Sequence, residues 1–226
     1  MTAPSSLDDT LDGTPDETPV TEDGDRGSAR RFGTLVVAAA VVVGLLLGYA
    51  GGMLTPRLTR PGDASVEAGF ARDMTSHHSQ AVEMGLIAFQ RGTDPEVRSI
   101  GGDIALAQQG DIGTMQTWLR SWELDPTGSQ PRMAWMPEGI RMVRNGLMPG
   151  MATTEQMTRL REAQGRELDV LFLDLMIQHH IGGIHMVDAL LDASDEPDVV
   201  RAAQTMKNTQ QTELVNLQSA LKRIRG

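Results

Sequence analysis

The chain has 226 residues, a formal charge of −10, 4% aromatic residues, 14 methionines and no cysteine. That length permits one ordinary domain plus appendages, and the absence of cysteine excludes disulfides, thiolate metal sites and a lipidated N-terminal cysteine. The acidic balance argues against a nucleic-acid partner, which needs a basic surface, but suits the collection of cations.

Residues 1–31 carry eight acids against three arginines and almost no large apolar side chain. Such a segment buries too little apolar surface to order itself and reads as a disordered acidic tail. From Phe32 to Pro56 there is no charge, and Leu35 to Leu47 is nearly all Leu, Val, Ala and Gly. That length suits one membrane-spanning helix. Arg26, Arg30 and Arg31 stand just before it, which keeps the N-terminus in the cytoplasm and puts the rest of the chain outside. A cleaved signal peptide ending at the small residues Gly48-Tyr49-Ala50 is the competing reading; the long acidic segment ahead and the full spanning length favour the anchor. Residues 57–64 follow as a linker.

A first long helix is expected from about Ser65 to Arg91. Gly92-Thr93-Asp94-Pro95 then gives a stop and a start, with Gly past the end, Asp as cap and Pro at the first helical position. The second helix runs to about Trp122, with Ile104, Ala107, Asp111, Met115 and Leu119 at spacings of three and four. Residues 123–166 read as a crossover, rich in Gly, Pro and methionine (Met133, Met136, Met142, Met148, Met151 and Met157). Within it Thr153-Thr154-Glu155-Gln156 has the form of a capping box for a short helix. A third long helix runs from about Glu167 to Ala193, and after Asp195-Glu196-Pro197 a fourth reaches the neighbourhood of Arg225.

The first and third helices carry the same pattern, Phe-x-x-x-Met-x-x-His-His-x-x-x-x-x-Met, beginning at Phe70 and at Phe172, 102 residues apart. All five histidines lie inside these two copies. The same offset pairs Pro95 with Pro197, Gln108 with Gln210 and Asp111 with Glu213. Self-similarity at a fixed offset signals a duplicated supersecondary unit. Two helical hairpins with short internal turns and one long connection make an all-α four-helix bundle, here of residues 65–226.

Each helical residue advances by about 100°, so His77 and His78 diverge, with Met74 one turn back between them and Met84 two turns beyond His77. The geometry recurs for Met176, His179, His180 and Met186. Ala81 and Gly183 hold equivalent places, where small residues let a facing helix or an ion approach. His185 falls on the opposite face. A methionine stripe is usually core, and a single histidine usually a hydrogen-bonded core residue. Four histidines beside four methionines at repeated positions go beyond that, because leucine packs equally well without burying imidazole. Met74, His77, His78, Met84, Met176, His179, His180 and Met186 are therefore the candidate metal ligands, with Gln108, Asp111, Gln210 and Glu213 as partners that orient the imidazoles.

A four-helix di-iron site takes Glu-x-x-His from two of its helices; here Met-x-x-His stands in its place. A thioether in place of a carboxylate favours a soft ion, above all Cu(I). Affinity is expected to fall as histidine protonates near ~6.5. Two alternatives remain open. A ferritin-like oxidase would gather iron or manganese with His77, His179, Asp111 and Glu213. A non-catalytic helical interaction module would use the bundle surface.

These residues resemble a ferritin-like bacterial family catalogued as domain of unknown function 305, whose members carry two Met-x-x-His-His-x-x-x-x-x-Met helices. The resemblance runs over about residues 66–224, through Gln108-Gln109-x-Asp111, Met148-Pro-Gly-Met151 and Gln210-Gln211-x-Glu213. The chain departs from the family pattern at Thr75-Ser76 and at Gly182-Gly183. The resemblance implies an exported bacterial protein associated with copper binding and tolerance, with no firmly attached enzymatic activity. Joined to the N-terminal helix, it implies a single-pass membrane protein whose bundle lies outside the cytoplasm; it says nothing of protein partners.

Overall fold

The structure, a computed structural model, describes residues 26–226, so most of the expected acidic tail lies outside the described residues. Helix α1 spans Arg26–Thr59. It continues past both ends of the expected 32–56 span, taking in Arg26 to Arg31 and running through Pro56 to Thr59. Its stretch Gly33–Met53 is long and apolar enough to cross a membrane, and Leu35, Leu45 and Leu47 on it are exposed. From Arg60 onward the chain is a separate compact unit.

That unit is built on four long helices, α2 (Val66–Arg91), α3 (Pro95–Ser121), α6 (Gly165–Ala193) and α7 (Pro197–Arg225), with short helices α4 (Gly139–Met142) and α5 (Thr154–Glu162) in the crossover. Among the described residues there is no strand, only one isolated bridge between Arg144 and Leu147. Helix α2 packs against α3 and α6, and α7 packs against α6 and α3. The two His-His helices are therefore neighbours.

The helix boundaries follow from local chemistry. The Ser65 hydroxyl accepts from the Ala68 N–H at 3.2 Å and caps α2. Asp94 accepts from the N–H groups of Glu96 and Val97 with Pro95 in the first turn of α3, which satisfies donors that a helix start leaves free. Thr153 and Gln156 close the expected capping box on α5. Two tertiary contacts secure the α2–α3 turn. The Asp169 carboxylate on α6 accepts from Thr93 N–H at 2.9 Å and Asp94 N–H at 3.0 Å, and Arg223 near the end of α7 forks onto Asp94 and reaches Glu96.

The α2–α3 seam is unusually close. A Cβ on Gly85 would stand 2.5 Å from the Gly101 carbonyl oxygen, and one on Gly101 would stand 2.7 Å from that of Gly85. Glycine at both places lets the backbones meet.

The crossover methionines are mostly interior. Met133, Met136 and Met148 belong to one apolar cluster with Phe70, Met74, Met115, Met186 and Met206, and Met157 belongs to a second with Met84, Phe172 and Met176. The flexible thioether fills the irregular gap between crossover and helices. Asp73 anchors that packing from below: its buried carboxylate accepts from Met133 N–H at 2.7 Å and from Trp135 Nε1–H at 2.8 Å.

Candidate metal centre

Helices α2 and α6 run antiparallel in the core and bring the two His-His pairs to the middle of the bundle, where all four rings are fully buried. The rings of His77 and His179 lie with centroids 3.8 Å apart and planes tilted by 38°. His78 stands further off, 6.4 Å from His77 between centroids. Met74 and Met186 fall in one apolar cluster and Met84 and Met176 in the other. Each cluster thus takes one methionine from α2 and one from α6, and the eight candidate ligands all reach the interior.

Hydrogen bonding divides the histidines. His180 is engaged at both nitrogens, with Nδ1 3.0 Å from the Met176 carbonyl and Nε2 2.8 Å from Glu213 Oε2. His78 Nε2 meets Asp111 Oδ2 at 3.3 Å, and its Nδ1 has no partner. His77 Nε2 lies 3.0 Å from the carbonyl oxygen of Pro149 in the crossover. A carbonyl only accepts, so Nε2 carries the proton and Nδ1 keeps its lone pair; that Nδ1 has no partner, and neither do both nitrogens of His179. Fully buried polar atoms are normally paired, so the pair at the centre is chemically incomplete in a way that a ligand-accepting site would be.

Burial, followed by the neighbouring imidazole of His78, pushes the His77 pKa down to about 3. Burial lowers His179 well below the ordinary histidine range too, with His77 next in effect. Both rings are neutral, and so able to bind a metal, well below the pH near 6.5 at which the residue type alone sets the loss of affinity.

Of the expected orienting partners, Asp111 and Glu213 each hold one imidazole, while Gln108 and Gln210 are buried with no hydrogen bond to any histidine. Among the described residues no three of His, Asp and Glu gather as a metal-holding group. The carboxylates sit on His78 and His180, away from the central pair, so the oxygen-rich cluster expected for iron or manganese is not assembled and that alternative is not supported. His185 is exposed on the outer face.

Sequence reasoning missed the crossover's part in this centre. Gly150, with φ +82°, lies close against α6, where a Cβ would collide with the Gln178 carbonyl, and a Cβ on Gly182 would collide with the Pro149 carbonyl. Gln80 on α2 holds the same segment, its Nε2 donating to Ala152 O at 2.9 Å and its Oε1 accepting from Ala152 N–H at 2.7 Å. The signal was Gly182-Gly183 inside a buried helix, where glycine costs about 1 kcal/mol unless something comes close.

The family described as Domain of unknown function (DUF305) matches residues 67–221. The chain belongs to this family. A DUF305 protein of Streptomyces coelicolor is 37% identical, its structure superposing with a TM-score of 0.67 over 73% of this chain and 97% of its own. A DUF305 fragment from Deinococcus radiodurans is 30% identical, with a TM-score of 0.58 over 70% of this chain and 96% of its own. The fold is shared as well with CopM in its Cu(I)-bound form, at 22% identity and a TM-score of 0.56, over 72% of this chain and 99% of that one. CopM is also known in Cu(II)-bound and silver-bound forms. No curated protein matches the chain.

Proposed function

We propose that this DUF305 bundle is an extracytoplasmic copper-binding domain held at a bacterial membrane by α1, and that it sequesters the ion rather than catalysing a reaction. The observation that carries the reading is the buried central pair, His77 and His179, whose three unpartnered ring nitrogens lie between two methionine pairs. His77, His78, His179 and His180 would supply imidazole, and Met74, Met84, Met176 and Met186 thioether. Imidazole serves both copper oxidation states and thioether prefers the reduced one, so the set favours Cu(I). For His180 to bind, it has to give up Met176 O or Glu213, which makes it the costliest of the four to recruit. The copper- and silver-bound forms of CopM, a protein of the same fold, support a soft-metal ligand.

The test is a pair of variants of the full chain. One changes His77, His78, His179 and His180 to Ala; the other changes Met74, Met84, Met176 and Met186 to Leu, which conserves volume. Competition with a Cu(I) chelator should show weaker binding in both, and retention of parental affinity in both would refute the assignment. Anchoring is tested separately: protease added to intact cells should cut the bundle, and a mature N-terminus near Gly51 would show a cleaved signal peptide instead.

A further inference from the structure

The bundle buries two amides with nothing to bond. Gln108 on α3 and Gln210 on α7 are 1% and 2% exposed, and neither the oxygen nor the nitrogen of either side chain has a partner. An amide buried this way costs about 1–3 kcal/mol, whereas leucine at the same place would cost nothing of the kind. The fold also makes room for one of them. A Cβ on Gly183 would collide with Gln210 Oε1 and stand 3.4 Å from His77 Cε1, so the bare glycine is what admits the amide to the neighbourhood of His77. Gln108 stands 102 positions before Gln210, as Ala81 does before Gly183. His77 and His179 add three more unpartnered ring nitrogens to the interior, and His78 Nδ1 and Thr75 Oγ1 are buried without a partner as well.

We propose that Gln108 and Gln210 are ion-binding residues: their carbonyl oxygens, with the free nitrogens of His77 and His179, form a nitrogen–oxygen chamber that accepts oxidised, divalent copper. The thioethers of Met74, Met84, Met176 and Met186 remain the ligands of the reduced ion. This rests on the copper reading above and adds to it the residues that set the choice of oxidation state. Nitrogen and oxygen donors suit Cu(II), while an amide oxygen is a poor ligand for a soft monovalent ion. Removal of the oxygens should therefore weaken one ion selectively. An unpartnered amide contributes nothing to folding, so the same change should leave the metal-free protein at least as stable.

The experiment compares the full chain in detergent with its Gln108→Leu/Gln210→Leu variant. Each is titrated with Cu(II) and, as a redox-inert stand-in for Cu(I), with Ag(I), and each is melted without metal. The expected result is a loss of Cu(II) affinity of about 10- to 100-fold, Ag(I) affinity changed less than about threefold, and a metal-free Tm equal to or above the parent's. Unchanged Cu(II) affinity overturns the chamber and leaves the copper reading standing. Equal losses for both ions, or a lowered metal-free Tm, overturn it in favour of amides that hold the core through bound water. A parent that binds neither ion overturns both this inference and the function on which it rests.

Discussion

Acidification from pH 7 to pH 5 should destabilise the metal-free bundle by about 2 kcal/mol through His77 alone. In the folded protein its pKa is pushed down to about 3 by burial; in the unfolded chain it returns to about 6.5. Between those values the unfolded state binds a proton that the folded state does not, so stability rises with pH and is lost as pH falls. At pH 7 the unfolded ring is already mostly neutral and the penalty is a few tenths of a kcal/mol. By pH 5 about 1.5 units of the gap are engaged, at about 1.4 kcal/mol each. For a domain of this size that corresponds to a Tm lower by about 4–8 °C. His179 is shifted in the same direction by the same cause and adds to the drop. Melting followed by far-UV circular dichroism, on the parent and on a His77→Gln/His179→Gln variant, isolates the effect from other ionisable groups. The variant should lose less stability between the two pH values, by at least the His77 amount. Equal losses in the two proteins would mean that the central rings are charged or solvated, which would remove the basis for treating them as neutral ligands.

Three substitutions examine the scaffold around the centre. Gly182→Ala sets a Cβ against the Pro149 carbonyl and 2.8 Å from the Gly150 nitrogen; backbone does not yield as a side chain would, so about 1–3 kcal/mol should be lost in thermal melts. Gly110→Ala on the exposed face of α3 meets open space and should stabilise by about 0.5–1 kcal/mol in the same assay. Asp73→Ala orphans the Met133 N–H and the Trp135 indole; it should cost about 1–3 kcal/mol and change the emission of Trp135 as the crossover loosens.

Periodicity made the helices legible, and repetition singled out the candidate ligands. Phe70, Met74, His77 and Met84 fall on one face of α2 by angle alone, and the second copy says that the face has a purpose. The crossover has no period, and for that reason its contribution was hidden. Nothing in Met148-Pro149-Gly150 announces that a carbonyl will fix the tautomer of His77, and the methionine run 133–157, rich in potential ligands, is mostly packing because a loop lying on helices needs adaptable filler. Asp73 did leave a trace, an acid three residues after Phe70 and four before His77, on a face otherwise apolar. Gln108 and Gln210 were visible as repeated polar residues. Only the structure shows that carboxylates, not these amides, hold the imidazoles.

The lengths of the connections also fix an order of assembly. Helices α2 and α3 are separated by three residues, Gly92 to Asp94, and α6 and α7 by Ser194 to Glu196, whereas residues 122–164 lie between α3 and α6. Closing the long loop costs on the order of 2 kcal/mol more than closing either short one, at about 0.6 kcal/mol per doubling, and local contacts form fastest. The two hairpins are therefore expected to form early and dock late, and docking brings His77 to His179. Until that step each hairpin carries an open face of histidine and methionine; on the copper reading proposed above, an ion present at that moment would meet two half-sites and would act as a clasp on the final event of folding.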